Sequence, residues 1–437
     1  MSTAQIERFF RIRERGSDIP TEIRAGLATF LTMAYILVVN PQVLSHAGLP
    51  ASDVLFATAV GSAVGTVVMG LYANYPIALA PGMGLNAYFT YGVVLGMGVD
   101  WRTALTAVFV EGLIFLALSF GGIRTLILNA IPRSIKLATA SGIGLFLALI
   151  GLRNAGLVVD NPATLVGLGD LHSLPVLLAL AGIAIIAALE SRKIKGGILV
   201  GIAAVTLVAW ATGVAPLPQG FFALPSLPKE TLFAFDFSGL LTGKLVGVVF
   251  AFLFVEIFDT AGTLLGVGRA AKLLDENDEL PDADKAFTAD AVGTVAGAAL
   301  GTSTIIAFVE SGAGVEEGGR TGLTAVVVAA LFLLAIFFTP LFVAVPAVAT
   351  APALVVVGAL MIGAVKDLEW RRLDESIPAF LTIVMMPFTF SIANGMVFGM
   401  ISWVLVKVLS GRAREVHVVL WILSALLVAY YALLRGH

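Results

Sequence analysis

A short apolar segment between residues 254 and 263 carries four polar side chains at helical spacing. Glu256, Asp259, Thr260 and Thr263 follow one another at i, i+3, i+4 and i+7, which places them in one stripe on a helix. No Lys or Arg stands in the same segment to pair with the two acids. Carboxyl groups in such apolar surroundings can accept N–H groups from a ligand or exchange protons. The alternative is a structural role, in which the acids pair with a neighbouring helix.

A further acid, Glu310, stands in the segment 301–314, which opens with β-branched residues and then becomes rich in glycine. This composition predicts a short extended stretch followed by a half-helix, whose free N–H groups would converge near the carboxylate. A ring that bears both N–H donors and carbonyl or ring-nitrogen acceptors would suit this mixture of groups. The alternative is that Glu310 only caps its own helix.

Asn86 follows a comparable break, the proline- and glycine-rich segment 74–86. Its amide could face the same cavity as Glu310, or it could be an ordinary cap or interhelix hydrogen-bonding group. Two more acids, Glu111 and Asp290, also fall in apolar segments, and we interpret both as structural acids between helices. The acidic run 275–284 resembles a metal-diphosphate motif but has no partner motif, which favours a solvated loop.

The composition sets the environment in which these side chains must work. Of the 437 residues, 59% are hydrophobic and only 13% are charged, and the mean hydropathy is +0.99. Soluble chains carry about 25% charged residues, so this chain is predicted to be a polytopic membrane protein. The net charge of −3 gives no sign of a nucleic-acid partner, and the absence of cysteine with only four scattered histidines gives no sign of a metal or cofactor site.

Fourteen apolar segments can be placed as membrane spans, for each of which a bilayer needs about 20 residues, and their ends are approximate. They lie near 25–40, 54–73, 76–95, 103–121, 134–152, 173–190, 196–212, 243–266, 286–301, 303–318, 321–341, 351–365, 377–392 and 394–410. We number them spans 1 to 14. The stretch 416–434 is apolar enough to be a further span or a helix packed on the bundle.

The orientation follows from the basic residues between the spans, which gather on the cytoplasmic side of membrane proteins. Alternate loops are basic, while the loop 41–53 contains no Lys or Arg. The basic residues of the alternate loops are Arg124, Arg133, Lys136, Arg192, Lys193, Lys195, Arg269, Lys272, Lys285, Lys366, Arg371, Arg372, Arg412 and Arg414. These loops and the arginine-rich leader 1–20 are therefore predicted to face the cytoplasm.

The two halves of the chain contain similar motifs in the same order. Gly61 and Gly65 in span 2 correspond to Gly293 and Gly297 in span 9, and each pair stands in a similar small-residue sequence. Three further short matches follow, and the interrupted spans 3 and 10 occupy equivalent places. Because each half has seven spans, the second copy must be inverted across the membrane, an arrangement typical of secondary transporters with a site near the midplane.

At these positions the sequence resembles the AzgA-like purine permeases, a branch of the nucleobase–ascorbate transporter superfamily. The similarity runs from about residue 20 to about residue 410. The motifs that carry it are Thr32-Met-Ala-Tyr35 with Asn40-Pro41, Ala80-Pro-Gly-Met-Gly-Leu-Asn86, Phe258-Asp-Thr-Ala-Gly-Thr263, Gly301-Thr-Ser-Thr, Glu310-Ser and Gly318-Gly-Arg-Thr-Gly-Leu-Thr324.

The resemblance implies an all-α fold of fourteen transmembrane segments in a 7+7 inverted repeat, with short β-strands in segments 3 and 10. It implies a core domain formed by 21–128 and 240–345 and a gate domain formed by 129–239 and 346–411. The leader 1–20 and a tail 412–437, with a possible extra helix, lie outside these domains. Homodimers joined through the gate domain are usual in this family.

The resemblance also implies roles for individual residues. Glu256, Glu310 and Asn86 would bind the substrate, with Thr260 and Ser311 beside them. Asp259, together with Glu256, would couple transport to protons. Span 8 has no histidine, unlike the uracil-transporting relatives, so coupling would rest on carboxyl groups. Residues 306–308 read Ile-Ala-Phe, where the family leads us to expect threonine and tyrosine.

We therefore expect a symporter, not an enzyme, that imports guanine, hypoxanthine and/or adenine with protons across the cytoplasmic membrane. Two alternatives stay open at this point. An anion exchanger or channel of the same fold would place a cation or bare helix ends at the break, where this sequence has acids. A membrane enzyme such as a prenyltransferase is disfavoured by the inverted repeat.

Overall fold

The computed structural model describes residues 3–119, 131–238, 243–276 and 280–434. The elements of the first half are α1 (Thr3–Phe10), α2 (Ile19–Met33), α3 (Ile36–Ser45), α4 (Ala51–Val68), β1 (Leu79–Pro81), α5 (Met83–Ala87), α6 (Trp101–Leu118), α7 (Arg133–Asn154), β2 (Val158–Asn161), β3 (Leu165–Leu168), α8 (Leu174–Ser191) and α9 (Gly197–Ala211). Two π-helical segments, Met69–Ala73 and Tyr88–Gly96, continue α4 and α5.

The second half follows the same plan. Its elements are α10 (Gly243–Ala270), α11 (Ala283–Leu300), β4 (Ile305–Ala307), α12 (Gly312–Glu316), α13 (Gly322–Ala335), α14 (Thr339–Val343), α15 (Ala347–Ile362), α16 (Leu373–Phe388), α17 (Ile392–Leu409) and α18 (Val418–Leu434). A short 3₁₀ turn, Val309–Ser311, joins β4 to α12.

The described residues contain nine helical stretches that are long and apolar enough to cross a membrane by length and composition. The chain is thus an all-α polytopic membrane protein, as its composition predicts. Each of the fourteen predicted spans coincides with a helix, a pair of helices or a strand followed by a helix. The count of fourteen crossings itself stays a prediction.

The structure differs from the sequence-based expectation in three respects. Span 1 is divided into α2 and α3 by a turn at Ala34 and Tyr35. The loop after α7 contains an unexpected β2–β3 hairpin, whose turn forms because the Asn161 side chain accepts the N–H of Ala163 at 2.9 Å. Four residues that we assigned to basic loops lie within α-helices: Arg133 and Lys136 in α7, Arg269 in α10 and Lys285 in α11. Arg124 and the predicted domain boundaries at 128 and 239 lie outside the described residues.

The interrupted spans 3 and 10 meet at an antiparallel pair of strands, β1 and β4, in the buried centre of the bundle. Ala80 faces Ile306, and the ladder is extended at both ends, where Gly82 donates to Thr304 at 3.0 Å and Phe308 donates to Ala78 at 2.9 Å. Backbone groups at membrane depth must be paired internally. Each broken span therefore supplies the hydrogen-bond partners that the other has lost.

Alternate residues of an antiparallel pair turn their backbone groups away from the partner strand. At two of these positions a threonine hydroxyl accepts the backbone N–H group instead. The hydroxyl of Thr66 on α4 accepts from the N–H of Leu79 at 2.9 Å, and that of Thr294 on α11 accepts from the N–H of Ile305 at 3.1 Å. Each hydroxyl also lies within donating distance of the same residue's carbonyl, at 3.2 and 2.9 Å. Thr66 is thus the counterpart of Thr294, whereas the sequence motifs aligned Ser62 with it.

The matching glycine motifs of the two halves pack directly on each other where α4 crosses α11. A Cβ atom added to Gly61 would lie 3.0 Å from the Cα of Gly297, and one added to Gly65 would lie 3.0 Å from the Cα of Gly293. No larger residue fits at this approach without moving a backbone. The motifs repeat because both helices need a smooth surface at the same crossing.

The remaining helices form two groups around this crossing. In one group α11 packs on α4 and α6, and α13 packs on α2 and α4. In the other, α15 packs on α7 and α8, and α16 packs on α7 and α17. The helix α18, in the predicted tail, packs on α17 and also touches α10.

The orientation of the chain can be tested by cysteine labelling, because the protein has no native cysteine. Thr164, in the turn of the β2–β3 hairpin, and Ser410, after α17, are both exposed. We expect Thr164→Cys to react with a membrane-impermeant maleimide in intact cells and Ser410→Cys to react only after permeabilisation. The reverse pattern would overturn the orientation inferred from the basic loops.

Candidate functional site

A cavity of about 960 Å³ lies between the two groups of helices and ends at the crossing of the broken spans. Its inner end is formed by the residues that follow β4 and by α10, and its opposite wall is formed by α7 and α15. Side chains that line this inner part include Tyr35, Met83, Thr139, Ile143, Phe258, Asp259, Thr263, Ile306, Phe308, Glu310, Val357 and Met361. The volume is in the range of roughly 300–1,000 Å³ that is usual for small-ligand pockets.

Glu310 is held at the inner end of the cavity by the 3₁₀ turn that follows β4. Its carboxylate accepts a hydrogen bond of 2.8 Å from the hydroxyl of Tyr35. Tyr35 itself is almost fully buried at the turn between α2 and α3, so its hydroxyl has little freedom to move. The carboxylate has further lone pairs and can also accept a donor from the cavity.

Asp259 lines the same cavity from α10 and interacts electrostatically with Glu310. Phe258, beside it, contributes an aromatic ring to the wall, and the ammonium of Lys136 lies 5.3 Å from the centre of that ring. The inner end of the cavity therefore combines two carboxyl groups, a tyrosine hydroxyl and apolar surface. Such a surface suits a flat ring with polar edges.

Glu256 is one turn from Asp259 but does not line the cavity. It is fully buried and accepts a hydrogen bond of 2.6 Å from Thr294 on α11. The carboxyl group of Glu111 on α6 is its other neighbour at hydrogen-bonding distance. The two acids predicted on α10 thus point to different surroundings, one to the cavity and one to the interior of the α6–α10–α11 bundle.

The three other predicted site residues are engaged in buried contacts: Ser311 and Asn86 join the two broken spans, and Thr260 joins α10 to α11. Thr260 donates to Asp290 on α11 at 2.7 Å. The Ser311 hydroxyl accepts from the N–H of Ala78 at 3.0 Å, just before β1. Asn86 accepts from the hydroxyl of Ser303, just before β4. All three side chains are buried and away from the cavity wall, and their direct contact with a substrate stays a prediction.

Two residues of the site were not predicted from the sequence as site residues. Tyr35 belongs to a motif of the family resemblance, but nothing in its spacing indicates that it reaches span 10. Lys136 reaches the cavity because it lies inside α7 and not in the preceding loop. In the described part of the chain, no group of three or more His, Asp or Glu side chains is arranged to hold a metal ion.

Strands that cross within broken helices, beside a cavity between two helix groups, define a membrane transporter. Residues 20–398 match the Xan_ur_permease model, which describes a permease family, and the chain belongs to this family. It is 46% identical to the guanine/hypoxanthine permease PbuO of Bacillus subtilis, covering 93% of this chain and 96% of that protein. It is 43% identical to the adenine permease AdeP of Escherichia coli K12, covering 99% and 97%. The AzgA-like resemblance and the assignment as a transporter are thereby confirmed.

The fold has relatives among solved structures at much lower identity. The transmembrane domain of the cyanobacterial bicarbonate transporter BicA superposes with a TM-score of 0.66 at 17% identity, covering 86% of this chain and 97% of that domain. A structure of SLC26A9 superposes with a TM-score of 0.63 at 13% identity. At these identities the likeness concerns the fold alone, which is of the inverted-repeat class.

The role of the threonine hydroxyls can be tested through stability. We expect Thr66→Val to lower the free energy of unfolding by about 1–3 kcal/mol, because the N–H of Leu79 then loses its partner in a dry environment. The measurement is the apparent melting temperature of the protein in detergent. The control is Thr212→Val, whose exposed hydroxyl bonds only within its own helix. Equal melting temperatures for both variants would contradict the role given to Thr66.

Proposed function

We propose that this protein imports purine nucleobases, that is guanine, hypoxanthine and/or adenine, together with protons across the cytoplasmic membrane. The relatives PbuO and PbuG are guanine/hypoxanthine permeases and AdeP is an adenine permease. In each case the similarity extends over nearly the full length of this chain and of the relative. The observation that carries the proposal is the cavity that ends on Glu310 and Asp259, beside apolar and aromatic surface.

The chemistry of the inner cavity suits a purine. A purine presents ring N–H groups along one edge, and the Glu310 carboxylate, already oriented by Tyr35, can accept them. The flat faces of the ring can pack on Phe258, Phe308 and Met83, which all line the same space. The cavity would therefore recognise the polar edge and the apolar faces of the purine ring simultaneously.

Movement of two domains against each other would carry the site across the membrane. We propose that the α2–α6 and α10–α14 helices form the core and that α7–α9 and α15–α17 form the gate. The cavity lies between them, since Glu310 and Asp259 belong to the first group and Ile143 and Met361 to the second. The cavity also reaches Asp282 and Asp284, which precede and begin α11. With the N-terminus in the cytoplasm this arrangement would be open to the inside.

The proposal also includes the topology, the oligomeric state and the roles of the three acids. The chain would cross the membrane fourteen times in two inverted repeats and form homodimers through the gate. Glu310 would bind the base directly. Asp259, in the same cavity, and Glu256, behind it, would couple transport to protons, because neighbouring acids in a dry environment cannot all be ionised.

An anion exchanger or channel of the same fold is the competing function. Its cargo would have to enter a cavity whose lining includes one basic side chain, Lys136, but four acids, Glu310, Asp259, Asp282 and Asp284, in a space where charges are poorly screened. Like charges at such a site raise the cost of binding an anion. The acids at the inner end therefore favour a neutral, hydrogen-bonding cargo.

Uptake into proteoliposomes tests the proposed function. Purified protein should accumulate labelled hypoxanthine when the outside is made acidic, and an uncoupler should abolish the accumulation. Unlabelled guanine or adenine should compete, whereas bicarbonate and uracil should not. Bicarbonate uptake, or no uptake of any purine with or without a gradient, would refute the proposal.

Removal of the Glu310 charge should weaken binding of the base. Glu310→Gln preserves the size of the side chain but replaces one acceptor oxygen by a donor. Loss of a charge-assisted hydrogen bond of about 1.5–3 kcal/mol predicts at least a tenfold increase in the Kd for hypoxanthine, measured by calorimetry. The matched control is Glu316→Gln, six residues further on and exposed, which should bind like the wild type. Wild-type affinity in Glu310→Gln would remove this residue from the site.

A further inference from the structure

Glu111 and Glu256 form a pair of carboxyl groups in the interior of the core. Glu111 on α6 and Glu256 on α10 are both fully buried and lie at hydrogen-bonding distance from each other. Three of their four carboxyl oxygens receive no hydrogen bond from a donor group within the described residues. These are both oxygens of Glu111 and the second oxygen of Glu256. Two carboxylates offer only acceptors, so a bond between them requires a proton on one of the two.

No buried basic side chain in the described parts of the three helices around this pair balances its charge. In the described parts of α6, α10 and α11, the fully buried ionisable side chains are all acids. The third of them, Asp290, interacts electrostatically with both members of the pair and accepts a hydrogen bond from Thr260. Asp259, on the cavity side of α10, interacts with Asp290 in turn. A series of acids therefore leads from the cavity to the buried pair.

The helices are shaped to bring the pair together. Gly112, directly after Glu111, allows α6 to approach α11, because a Cβ atom at this position would lie 2.9 Å from the Cγ2 of Thr294. Thr294 is also the residue that donates to Glu256. The close approach at Gly112 thus joins three side chains from three helices in one contact.

Thr294 also links the pair to the strand next to the cavity. Its hydroxyl has one proton but two acceptors in reach, the Glu256 carboxylate at 2.6 Å and the carbonyl of Ile305 at 2.9 Å. It can donate to only one of them at a time. Ile305 begins β4, and Glu310 follows five residues later. The charge on Glu256 therefore influences how firmly β4 is held.

We propose that Glu111 and Glu256 hold the transported proton between them and that Thr294 relays its presence to strand β4. This inference rests on the proposed function. With the proton bound, the pair carries one charge and Thr294 can bond to Ile305. When the proton leaves, two adjacent carboxylates draw the Thr294 proton toward Glu256, and β4 loses that bond. Because linkage is reciprocal, a base bound at Glu310 would then favour the protonated pair.

Glu111→Gln tests the proton site in proteoliposomes. The amide preserves size and can donate to Glu256, so that residue can stay ionised without a shared proton. We expect the accumulation of hypoxanthine under an inward proton gradient to fall to a ratio of one. Exchange of labelled for unlabelled base at equal pH should persist within about threefold of wild type, a small change in free energy. Accumulation equal to that of wild type would overturn the proposal.

Infrared spectroscopy of the purified protein gives a readout that does not depend on transport. The difference spectrum between wild type and Glu111→Gln, recorded without any base, should contain the band of a protonated carboxyl group, and the difference spectrum between wild type and Asp259→Asn should not. Absence of the band from the first difference spectrum would place the proton elsewhere. If wild-type vesicles fail to accumulate any purine, the proposed function fails, and this measurement still decides whether the pair holds a proton. Should Glu111→Gln not survive purification, Glu111→Asp is expected to retain the band at a shifted position.

The role of Thr294 as a relay can be tested against a matched control, Thr66. Thr66 bonds to β1 as Thr294 bonds to β4, but only Thr294 also bonds to an acid, Glu256, among the described residues. Both Thr→Val changes remove a strand contact of the same kind. We expect Thr294→Val to abolish the dependence of hypoxanthine affinity on pH and Thr66→Val to preserve it. An equal effect of both variants on the pH profile would show that Thr294 only supports the strand.

Discussion

The structure depends on the need to pair backbone groups in the middle of a membrane. Spans 3 and 10 each break before they have crossed, and the peptide groups at the breaks have no water to bond to. The β1–β4 ladder pairs the groups that face each other, and Thr66 and Thr294 pair the groups that face outward. Pro81 is tolerated in β1 because its position faces outward, where its missing N–H removes no bond of the ladder.

This arrangement in turn dictates the packing around it. The threonines can reach the strands only if α4 and α11 lie close together, and Gly61, Gly65, Gly293 and Gly297 make that approach possible. Ser311 and Asn86 then bond across from one broken span to the other. The result is a hydrogen-bonded frame around β1 and β4, from which Glu310 projects into the cavity.

The sequence predicted the segments of this fold far better than the partners of its polar side chains. Long apolar runs, prolines and glycines carry the signal for spans and breaks, and each predicted span coincides with helical or strand–helix structure, although the division of span 1 was not predicted. The polar stripe on α10 is a different case. Successive helical residues are turned by about 100°, so Glu256 and Thr260 form one edge of the stripe and Asp259 and Thr263 form the other. The first edge meets Glu111, Thr294 and Asp290, whereas the second lines the cavity. Helical periodicity defines the stripe, but only tertiary packing decides what each edge meets.

The β2–β3 hairpin was not predicted for a related reason, since its turn depends on one local Asn161 contact and not on hydrophobic periodicity.

The likeness to BicA concerns the fold, and a shared fold does not by itself determine what a protein transports. Residues that bond the broken spans to each other are required by the fold, whatever is transported. Under the proposed function, the cargo would depend on the few side chains that line the cavity, here Glu310, Asp259 and Tyr35 with the rings near them. The acids in the core follow a further constraint. Buried carboxyl groups without basic partners are tolerable only when some of them are protonated. Under the proposal, the core that holds Glu111, Glu256 and Asp290 would bind protons for this electrostatic reason. Proton coupling would then need a contact by which the bound proton and the bound base affect each other, and the hydroxyl of Thr294 lies within hydrogen-bonding distance of both Glu256 and Ile305 of β4.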